Sequence, residues 1–402
     1  MSDPSGYLPR HLDTALRAAL RSFPAVLLDG PRGAGKTTSA RRHAAAQVML
    51  PRDLEPLRAD PEGYLRSLPS PVLLDEWQLA GTDVLWTIKR LVDDDPAPGR
   101  FLLTGSVEPA SFGPTYPLTG RAVRLVMRPM THAELTGAGA HRTFLERAAD
   151  GDRPAASAGR PAAFLLADLE QSGFPATRSL PDPRLFLDAY AATVSQRAGE
   201  EGRDGNRLLR ALRVLATLTA RTVPDQRIWE AADINKLTWK AYDDLLTRMH
   251  LSASSQAMES NRLKRLTSYP KRFLADTALA LALADLRAED LRRDPNLAGP
   301  FFESYVMQQL RPQADLLGGT LLHLRTSAGE HEIDAVVQTR REVLAAEVKL
   351  TSRPTRQDAR QLDWLRDRLR ERFRAGYVVH AGGDSYPLGD RVWALSVAEL
   401  MS

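Results

Sequence analysis

A glycine-rich segment near the start of the chain has the residue types and spacing of a phosphate-binding loop. Gly30, Gly35, Lys36 and Thr37 stand at the intervals of that motif, directly after the apolar run 25–29. Glycines let backbone N–H groups close around phosphate oxygens at a helix N-terminus, while the lysine adds a positive charge and the threonine hydroxyl ligates Mg²⁺. The pattern predicts a site for ATP or GTP with Mg²⁺, formed by Gly30, Pro31, Arg32, Gly33, Ala34, Gly35, Lys36, Thr37 and Thr38.

Two adjacent carboxylates at the end of another apolar run supply the second half of such a site. The run 71–74 is followed by Asp75 and Glu76. Because successive residues of a strand point to opposite sides, we expect Asp75 to face the Mg²⁺ shell with Thr37, and Glu76 to face the water that attacks the γ-phosphate. These are the roles of a Walker B pair. They predict ATP hydrolysis with Lys36 and Glu76 as catalytic residues.

Hydroxyl and guanidinium groups farther along the chain are candidates for sensing the nucleotide. Residues 100–106 predict a third strand that ends in Thr104 and Ser106, where a sensor of the γ-phosphate would stand; a simple turn is an equally good interpretation. Arg121 is the predicted arginine finger or inter-domain sensor that stabilises transition-state charge. Arg124 and Arg128 compete for this role, and a solvated surface arginine is the alternative for each.

A second group of charged residues, near the C-terminus, has the order of a nuclease motif. The apolar pattern predicts elements in the order αβββαβ, with Glu303 on the first helix, Asp334 on the second strand, and Glu347 and Lys349 on one face of the third. In a PD-(D/E)xK nuclease, Glu303, Asp334 and Glu347 would hold Mg²⁺ with the Val348 carbonyl, and Lys349, not a ligand, would orient or activate water. A Glu347–Lys349 ion pair that supports the fold is the alternative.

The composition indicates a folded protein with more than one domain. Its 402 residues exceed one ordinary core, and 43% hydrophobic with 26% charged residues is usual for a soluble protein. The chain has no cysteine, which excludes disulfides, and no segment predicts a membrane span or secretory signal, so we expect a cytoplasmic location. Residues 203–272 hold 14 Lys and Arg against 7 Asp and Glu. They predict contact with DNA or RNA, with a solvated arginine-rich face as the alternative.

The order of apolar runs predicts an α/β protein of three domains. Residues 1–180 predict a P-loop ATPase domain with a mostly parallel sheet, and residues 286–402 the nuclease-like α/β domain. Between them, residues 181–285 predict a helical, winged-helix module that reads DNA or contacts protein, with one helix running from Thr238 to Met249. The segment 137–161, rich in Gly, Ala and Pro, predicts a loop.

Short motifs along nearly the whole chain resemble those of one family. They are Tyr7-Leu-Pro-Arg10, Leu28–Thr38, Leu73–Gln78, Phe101–Ser106, Gly120-Arg121, Arg128–Glu134, Ser172–Pro175, Tyr269–Asp276, Glu332-Ile-Asp334 and Glu347-Val-Lys349. In this order they resemble the bacterial AAA-superfamily ATPases, related to the archaeal-type ATPases, that carry a C-terminal domain of uncharacterised function with a PD-(D/E)xK-like core. The resemblance implies an AAA-type ATPase domain, a winged helix and a nuclease-like tail. The chain departs from the family at Gly33, where glutamine is common, and at 194–197, where an Arg-Asp pair is expected.

Three functions remain open from the sequence. The first is an ATPase whose cycle is coupled to nucleic acid through the middle and C-terminal domains. The second is an ATP-gated, Mg²⁺-dependent nuclease. The third is a non-cleaving regulatory switch that binds protein partners. Because arginine fingers of this superfamily often act between subunits, a homo-oligomer is a further expectation.

Overall fold

The computed structural model describes residues 6–106, 116–154, 164–258, 269–326 and 330–402. The chain divides into two compact units. Unit 1 comprises Met1–Pro129 with Leu245–Leu251, and unit 2 comprises Met130–Asp244 with Ser252–Ser402. The part of the predicted basic region at 259–268 lies outside the described residues.

Unit 1 is built on short buried strands that alternate with helices. Its helices are α1 (Leu12–Ser22), α2 (Lys36–Arg41), α3 (Leu54–Ala59), α4 (Pro61–Arg66) and α5 (Asp83–Asp94). Its strands are β1 (Ala25–Asp29), β2 (Ala46–Met49), β3 (Val72–Asp75), β4 (Phe101–Gly105) and β5 (Ala122–Val126).

The five strands of unit 1 form one parallel sheet in the order β2-β3-β4-β1-β5. Strands β1, β3 and β4 are buried along their whole length, which explains why their sequences are continuous apolar runs rather than alternating ones. One apolar cluster packs helices α3, α4 and α5 against the sheet, and a second joins α1 and α2 to the same strands. Because all strands run in one direction, their carboxyl ends meet at one edge, and the predicted nucleotide residues follow those ends.

Unit 2 combines helices with a larger mixed sheet. Its helices are α6 (His132–Leu135), α7 (Phe144–Asp150), α8 (Pro183–Glu200), α9 (Gly205–Thr217), α10 (Asp225–Ala231), α11 (Lys236–Arg248), α12 (Thr277–Leu283), α13 (Ala288–Arg293), α14 (Pro295–Leu316), α15 (Arg360–Leu369) and α16 (Val397–Leu400). Its strands are β6 (Ser252–Ala257), β7 (Lys271–Leu274), β8 (Thr320–Arg325), β9 (Glu332–Gln338), β10 (Val343–Lys349), β11 (Phe373–His380), β12 (Tyr386–Gly389) and β13 (Val392–Ser396). The last turn of α11 is counted with unit 1.

The described strands of unit 2 form one sheet in the order β12-β13-β11-β10-β9-β8-β6-β7. Strands β8, β9 and β10 pair antiparallel in succession, and β11 then pairs parallel to β10. With α14 before these strands and α15 before β11, the predicted αβββαβ order is present. The antiparallel hairpin of β6 and β7 extends the same sheet, because β6 pairs parallel to β8.

Three helices and a hairpin, α9, α10, α11 and β6–β7, follow each other in the middle of the chain, in the order expected of a winged helix. Helix α11 begins at Lys236, two residues before the predicted start at Thr238. The reason is that the Asn235 side chain accepts a hydrogen bond from the Thr238 backbone N–H at 2.8 Å, which caps the helix earlier.

One segment predicted as a loop is partly helical. Within 137–161 the structure contains α7, which begins after Thr143. The Thr143 side chain accepts from the Glu146 N–H, and the Glu146 carboxylate accepts from the Thr143 N–H at 2.8 Å. This reciprocal capping box stabilises the first turn despite the surrounding Gly and Ala residues. Residues 155–161 of the predicted loop lie outside the described residues.

Across the described parts of the chain, none of the helices combines the length and the apolar character needed to cross a lipid bilayer.

Candidate nucleotide site and C-terminal carboxylate cluster

The loop between β1 and α2 has a backbone that requires glycine. Gly30, Gly33 and Gly35 have φ angles of 146°, 80° and 97°, in the left-handed region. At Gly30, a Cβ atom would lie 2.1 Å from the Met127 carbonyl oxygen. The tight turn therefore depends on the absence of a side chain at this position. It directs the loop over the N-terminus of α2, as phosphate binding requires.

Lys36 points into the loop that precedes it. Its side chain is buried, with a relative exposure of 5%, and its Nζ donates to the Gly30 and Pro31 carbonyl oxygens at 2.8 and 3.0 Å. Burial lowers the pKa of Lys36, while the carboxylate of Glu76 opposes this shift. The ammonium is thus held inside the loop by backbone carbonyls, at the place where phosphate oxygens would be its partners.

The Asp75 carboxylate joins the loop to the neighbouring strand. Its Oδ1 accepts hydrogen bonds from Thr37 Oγ1 at 2.7 Å and from Thr104 Oγ1 at 2.6 Å. These residues come from α2, β3 and β4, whose facing ends lie at one edge of the sheet. A hydroxyl beside a buried carboxylate is a donor set suited to Mg²⁺, so Thr37 and Asp75 are the residues that would hold the ion. Thr104 contacts this pair through Asp75.

Glu76 leaves the strand in an unusual conformation that turns its side chain. Its φ and ψ of 55° and 45° are left-handed, which is uncommon for a residue with a side chain. The Glu76 carboxylate accepts from Ser106 Oγ at 3.0 Å and from the Gln78 side-chain amide. Strand alternation, on which the predicted opposite orientation of Asp75 and Glu76 depends, ends at Asp75 because Glu76 is left-handed; that orientation stays a prediction. Ser106 contacts Glu76 through its hydroxyl, and its predicted sensing of the γ-phosphate stays a prediction.

Arg121 lies at the opposite edge of the sheet from the loop. It immediately precedes β5, whose first residue pairs in parallel with Ala25 at the start of β1, whereas the loop follows the end of β1. Its guanidinium pairs with Asp93. Arg121 therefore does not reach the nucleotide site of its own chain, and action on a neighbouring subunit stays a prediction. Arg124 is nearer the loop, with its Nε 2.8 Å from Asp29 Oδ2.

Arg10 is a residue of this site to which no role was assigned from the sequence. Its guanidinium is buried and donates from Nη1 to the Ala34 carbonyl at 2.8 Å and from Nη2 to the Arg128 carbonyl at 2.7 Å. The Tyr7 hydroxyl hydrogen-bonds Ser39 of α2 at 2.7 Å. Tyr7 and Arg10 are the first and last residues of the motif Tyr7-Leu-Pro-Arg10, which marks both positions in the sequence. Together they brace the loop and the helix that follows it.

We expect Arg10→Ala to weaken ATP binding by about tenfold or more, because hydrogen bonds from a charged donor are worth about 1.5–3 kcal/mol and their loss frees the loop. The measurement is the affinity for a fluorescent ATP analogue. Arg17→Ala is the matched control, since exposed Arg17 of α1 contacts only Thr14 through its side chain in the described hydrogen bonds. Equal affinity of the Arg10→Ala and Arg17→Ala proteins would show that the brace does not order the loop.

The predicted C-terminal residues do lie together, and a lysine accompanies them. The buried ammonium of Lys271, on β7, donates to Glu303 Oε1 at 2.9 Å and to Asp334 Oδ1 at 2.8 Å. Glu332 Oε1 is 3.7 Å away. Burial opposes the charge on Lys271, but the carboxylates of Asp334 and Glu303 raise its pKa. From the sequence, Lys271 is predicted only as a member of the basic region 203–272 and of the motif Tyr269–Asp276.

The other two predicted residues form their own pair at this site. Lys349 Nζ donates to Glu347 Oε1 at 2.7 Å. Burial, followed by the negative charge of Asp334, raises the pKa of Glu347 to about 7. Among the described residues, no group of three or more Asp, Glu, His or Cys side chains is arranged to hold a metal ion. The pairing matches the alternative interpretation, a Glu347–Lys349 ion pair, and the residues do not fit a bound Mg²⁺.

The comparisons agree with the ATPase part of this description. Residues 22–136 match the family model of an AAA domain, and they form a P-loop ATPase domain of the AAA kind. Residues 172–290 and 298–400 match two models described as domains of unknown function, DUF8612 and DUF4143. The three matched segments follow the order of the three predicted domains.

The chain is similar to two uncharacterized proteins, one of Mycobacterium bovis and one of Mycobacterium tuberculosis. Each is 28% identical to this chain over 404 residues, and the match covers 96% of this chain and 83% of the relative. Among solved structures, the Walker-type ATPase PABY2304 of Pyrococcus abyssi has a TM-score of 0.42 at 17% identity, covering 70% of this chain and 97% of its own. A RuvB variant of Thermotoga maritima has a TM-score of 0.28 at 16% identity, covering 67% and 98%. These scores are too low to support an argument from structural likeness.

Proposed function

We propose that the protein binds ATP with Mg²⁺ and hydrolyses it. The observation that carries the proposal is the convergence of Thr37 and Thr104 on the Asp75 carboxylate. Lys36 and the loop amides would bind the phosphates, and the ion held by Thr37 and Asp75 would neutralise their developing charge. Glu76, the residue that follows the strand end, would orient a water molecule and accept its proton.

The nucleotide state is coupled, in this proposal, to unit 2 through α11. His250 follows this helix in a left-handed conformation with a φ of 56° and belongs to unit 1. Burial, together with the positive charges of Arg128, Lys36 and Arg124, lowers the pKa of His250 to about 4. Its neutral imidazole therefore stands in the electrostatic surroundings of the nucleotide loop. A change in charge there on ATP binding or hydrolysis would act on the end of a helix that begins in unit 2.

The partner of unit 2, in this proposal, is nucleic acid. Arg207, Arg210 and Arg213 recur every three residues on α9 and are exposed. Such a stripe provides contacts for phosphates. Two other members of the predicted basic region do not contribute to it, because Lys271 and Arg272 are buried and paired with carboxylates. Among the described residues, the basic surface is thus smaller by these two residues than the sequence suggested, and it includes the exposed arginines of α9.

The test is Mg²⁺-dependent ATP hydrolysis with and without DNA or RNA. We expect nucleic acid to stimulate hydrolysis, Lys36→Ala to abolish it, and replacement of the three α9 arginines by glutamine to remove the stimulation alone. A protein with Arg292→Gln and Arg293→Gln, two exposed positions on α13, controls for loss of positive charge. Absence of hydrolysis in the unaltered protein would reject the ATPase, whereas hydrolysis without stimulation would reject only the nucleic-acid partner.

A second candidate is the non-cleaving regulatory switch that binds a protein partner. The observation in its favour is the Lys271 ammonium between the two carboxylates of the C-terminal cluster. Hydrolysis that responds to no nucleic acid, with no cleavage of DNA or RNA, would select this candidate over the first.

A further inference from the structure

The cluster of Glu303, Asp334 and Glu347 already contains a cation. Lys271 Nζ makes hydrogen bonds of 2.9 and 2.8 Å to the first two carboxylates, and its side chain has a relative exposure of 3%. An ammonium has three protons to donate. With Glu332 3.7 Å away as a third carboxylate neighbour, the Lys271 charge is surrounded by acceptors. A fixed positive charge therefore stands where a nuclease of this pattern would bind its metal ion.

The backbone of Lys271 holds this charge in place. Lys271 pairs with Ser255 in the β6–β7 hairpin and forms an isolated bridge with Thr222 on its other side. Strand β6 in turn pairs with β8 through Gln256 and Ala257. The lysine is therefore part of the sheet that also carries Asp334 and Glu347. It is a permanent component of the cluster rather than a side chain on an exposed loop.

Four of the six carboxylate oxygens of Glu303, Asp334 and Glu347 accept hydrogen bonds from the described residues. Asp334 uses Oδ1 for Lys271 and Oδ2 to accept the Val348 N–H at 2.9 Å. Glu347 accepts the Lys349 ammonium through Oε1. The residue is 7% exposed, and its Oε2 is buried without a hydrogen bond to the described residues. Divalent cations of this kind take about six oxygen ligands. Mg²⁺ in proteins keeps several of these ligands as water and needs one or two carboxylates. The two open carboxylate oxygens here, Glu303 Oε2 and Glu347 Oε2, belong to groups that already pair with the Lys271 and Lys349 ammonium groups, so an ion bound to them would lie beside two positive charges.

We propose that Lys271 is the built-in counter-ion of this cluster and takes the place of a divalent metal, so that the C-terminal part of unit 2 does not bind Mg²⁺ and does not cleave nucleic acid by a metal-dependent route. An open cleft of about 570 Å³ adjoins the cluster. Its lining includes the three carboxylates of the cluster together with Lys349, Gln357 and Gln361. The inference concerns only the C-terminal cluster and is independent of whether the P-loop hydrolyses ATP.

The test is a Mn²⁺ titration of the full-length, nucleotide-free chain by calorimetry and electron paramagnetic resonance. All proteins carry Asp75→Asn, so that the P-loop site does not contribute a signal. With Lys271 present we expect no Mn²⁺ site at the cluster, and the same for Lys271→Arg, which keeps the charge. Lys271→Met should increase Mn²⁺ affinity by about tenfold or more, because it removes a cation at contact distance from the ion.

Three results would overturn the proposal. One is a Mn²⁺ site in the Lys271 protein that is lost in Glu347→Gln. Another is a folded Lys271→Met protein that gains no Mn²⁺ affinity. The third is Mg²⁺-dependent cleavage of DNA or RNA by the unaltered protein that Asp334→Ala abolishes. If Lys271→Met does not fold, the double variant Lys271→Met with Glu303→Gln replaces it, because it removes one charge of each sign. This double variant should bind Mn²⁺ more tightly than Glu303→Gln alone. No gain in affinity would equally overturn the proposal.

Discussion

Replacing Glu76 by glutamine is expected to lower the rate of ATP hydrolysis by about 10²–10⁴-fold, the usual contribution of a general base, while ATP binding is retained. The glutamine side chain keeps the size of the glutamate and its contact with Ser106, but it cannot accept a proton from water. Single-turnover hydrolysis and equilibrium binding of ATP, measured on the same preparation, separate the two effects.

Glu62→Gln is the matched control for this experiment. Glu62, on α4, is a partly exposed glutamate of unit 1 that pairs with Arg66 at 2.9 Å. Its replacement makes the same chemical change without altering the nucleotide site, so turnover should not change. If Glu76→Gln hydrolyses ATP at the normal rate, another group activates the water. If it loses ATP binding as well, Glu76 is required to shape the loop edge and its role as a base is not established.

Replacing Asp276 by alanine is expected to destabilise unit 2 by about 2–4 kcal/mol, because it removes a helix cap and leaves buried donors without a partner. Asp276 is completely buried and caps α12 by accepting the Leu279 N–H at 2.8 Å. Its other oxygen accepts from the Gly173 N–H at 2.7 Å and from Ser172 Oγ at 3.2 Å. The carboxylate therefore ties the start of α12 to a turn more than a hundred residues earlier.

Chemical denaturation followed by circular dichroism measures this loss. Asp204→Ala is the control, since Asp204 caps α9 in the same unit from an exposed position and should cost only about 1 kcal/mol. Asp276→Asn should fall between the two, because a carboxamide oxygen still accepts one of the backbone hydrogen bonds. Equal losses for Asp276→Ala and Asp204→Ala would show that the contact with residues 172–173 does not contribute to stability.

The meeting of Thr37 and Asp75 at the candidate nucleotide site was predictable because these residues are close in sequence to the strands that position them. A phosphate loop after one buried strand and a carboxylate pair after another suffice, since parallel strands bring their carboxyl ends to the same edge. Arg121 was harder to interpret for the same reason. Its role depends on which end of β5 it occupies, and this is known only once β5 is paired with β1.

The C-terminal cluster shows a different limit of sequence reasoning. The order αβββαβ and the proximity of Asp334 to Glu347 follow from local patterns. The Lys271–Asp334 contact joins residues 63 positions apart, with α12, α13, α14 and β8 between them. It depends on a strand pairing that no local pattern specifies. By contrast, α7 could have been predicted, because Thr143 and Glu146 have the spacing of a capping box.

The pairing of β6 with β8 bears on how such a chain can be divided, both by experiment and in the course of evolution. The two segments matched by separate domain models, 172–290 and 298–400, contribute strands to one continuous hydrogen-bonded sheet. A fragment that ended before β8 would leave the backbone groups of β6 open along one side, which favours association with other chains. We therefore expect an exchange between relatives to preserve the fold when both segments are transferred together.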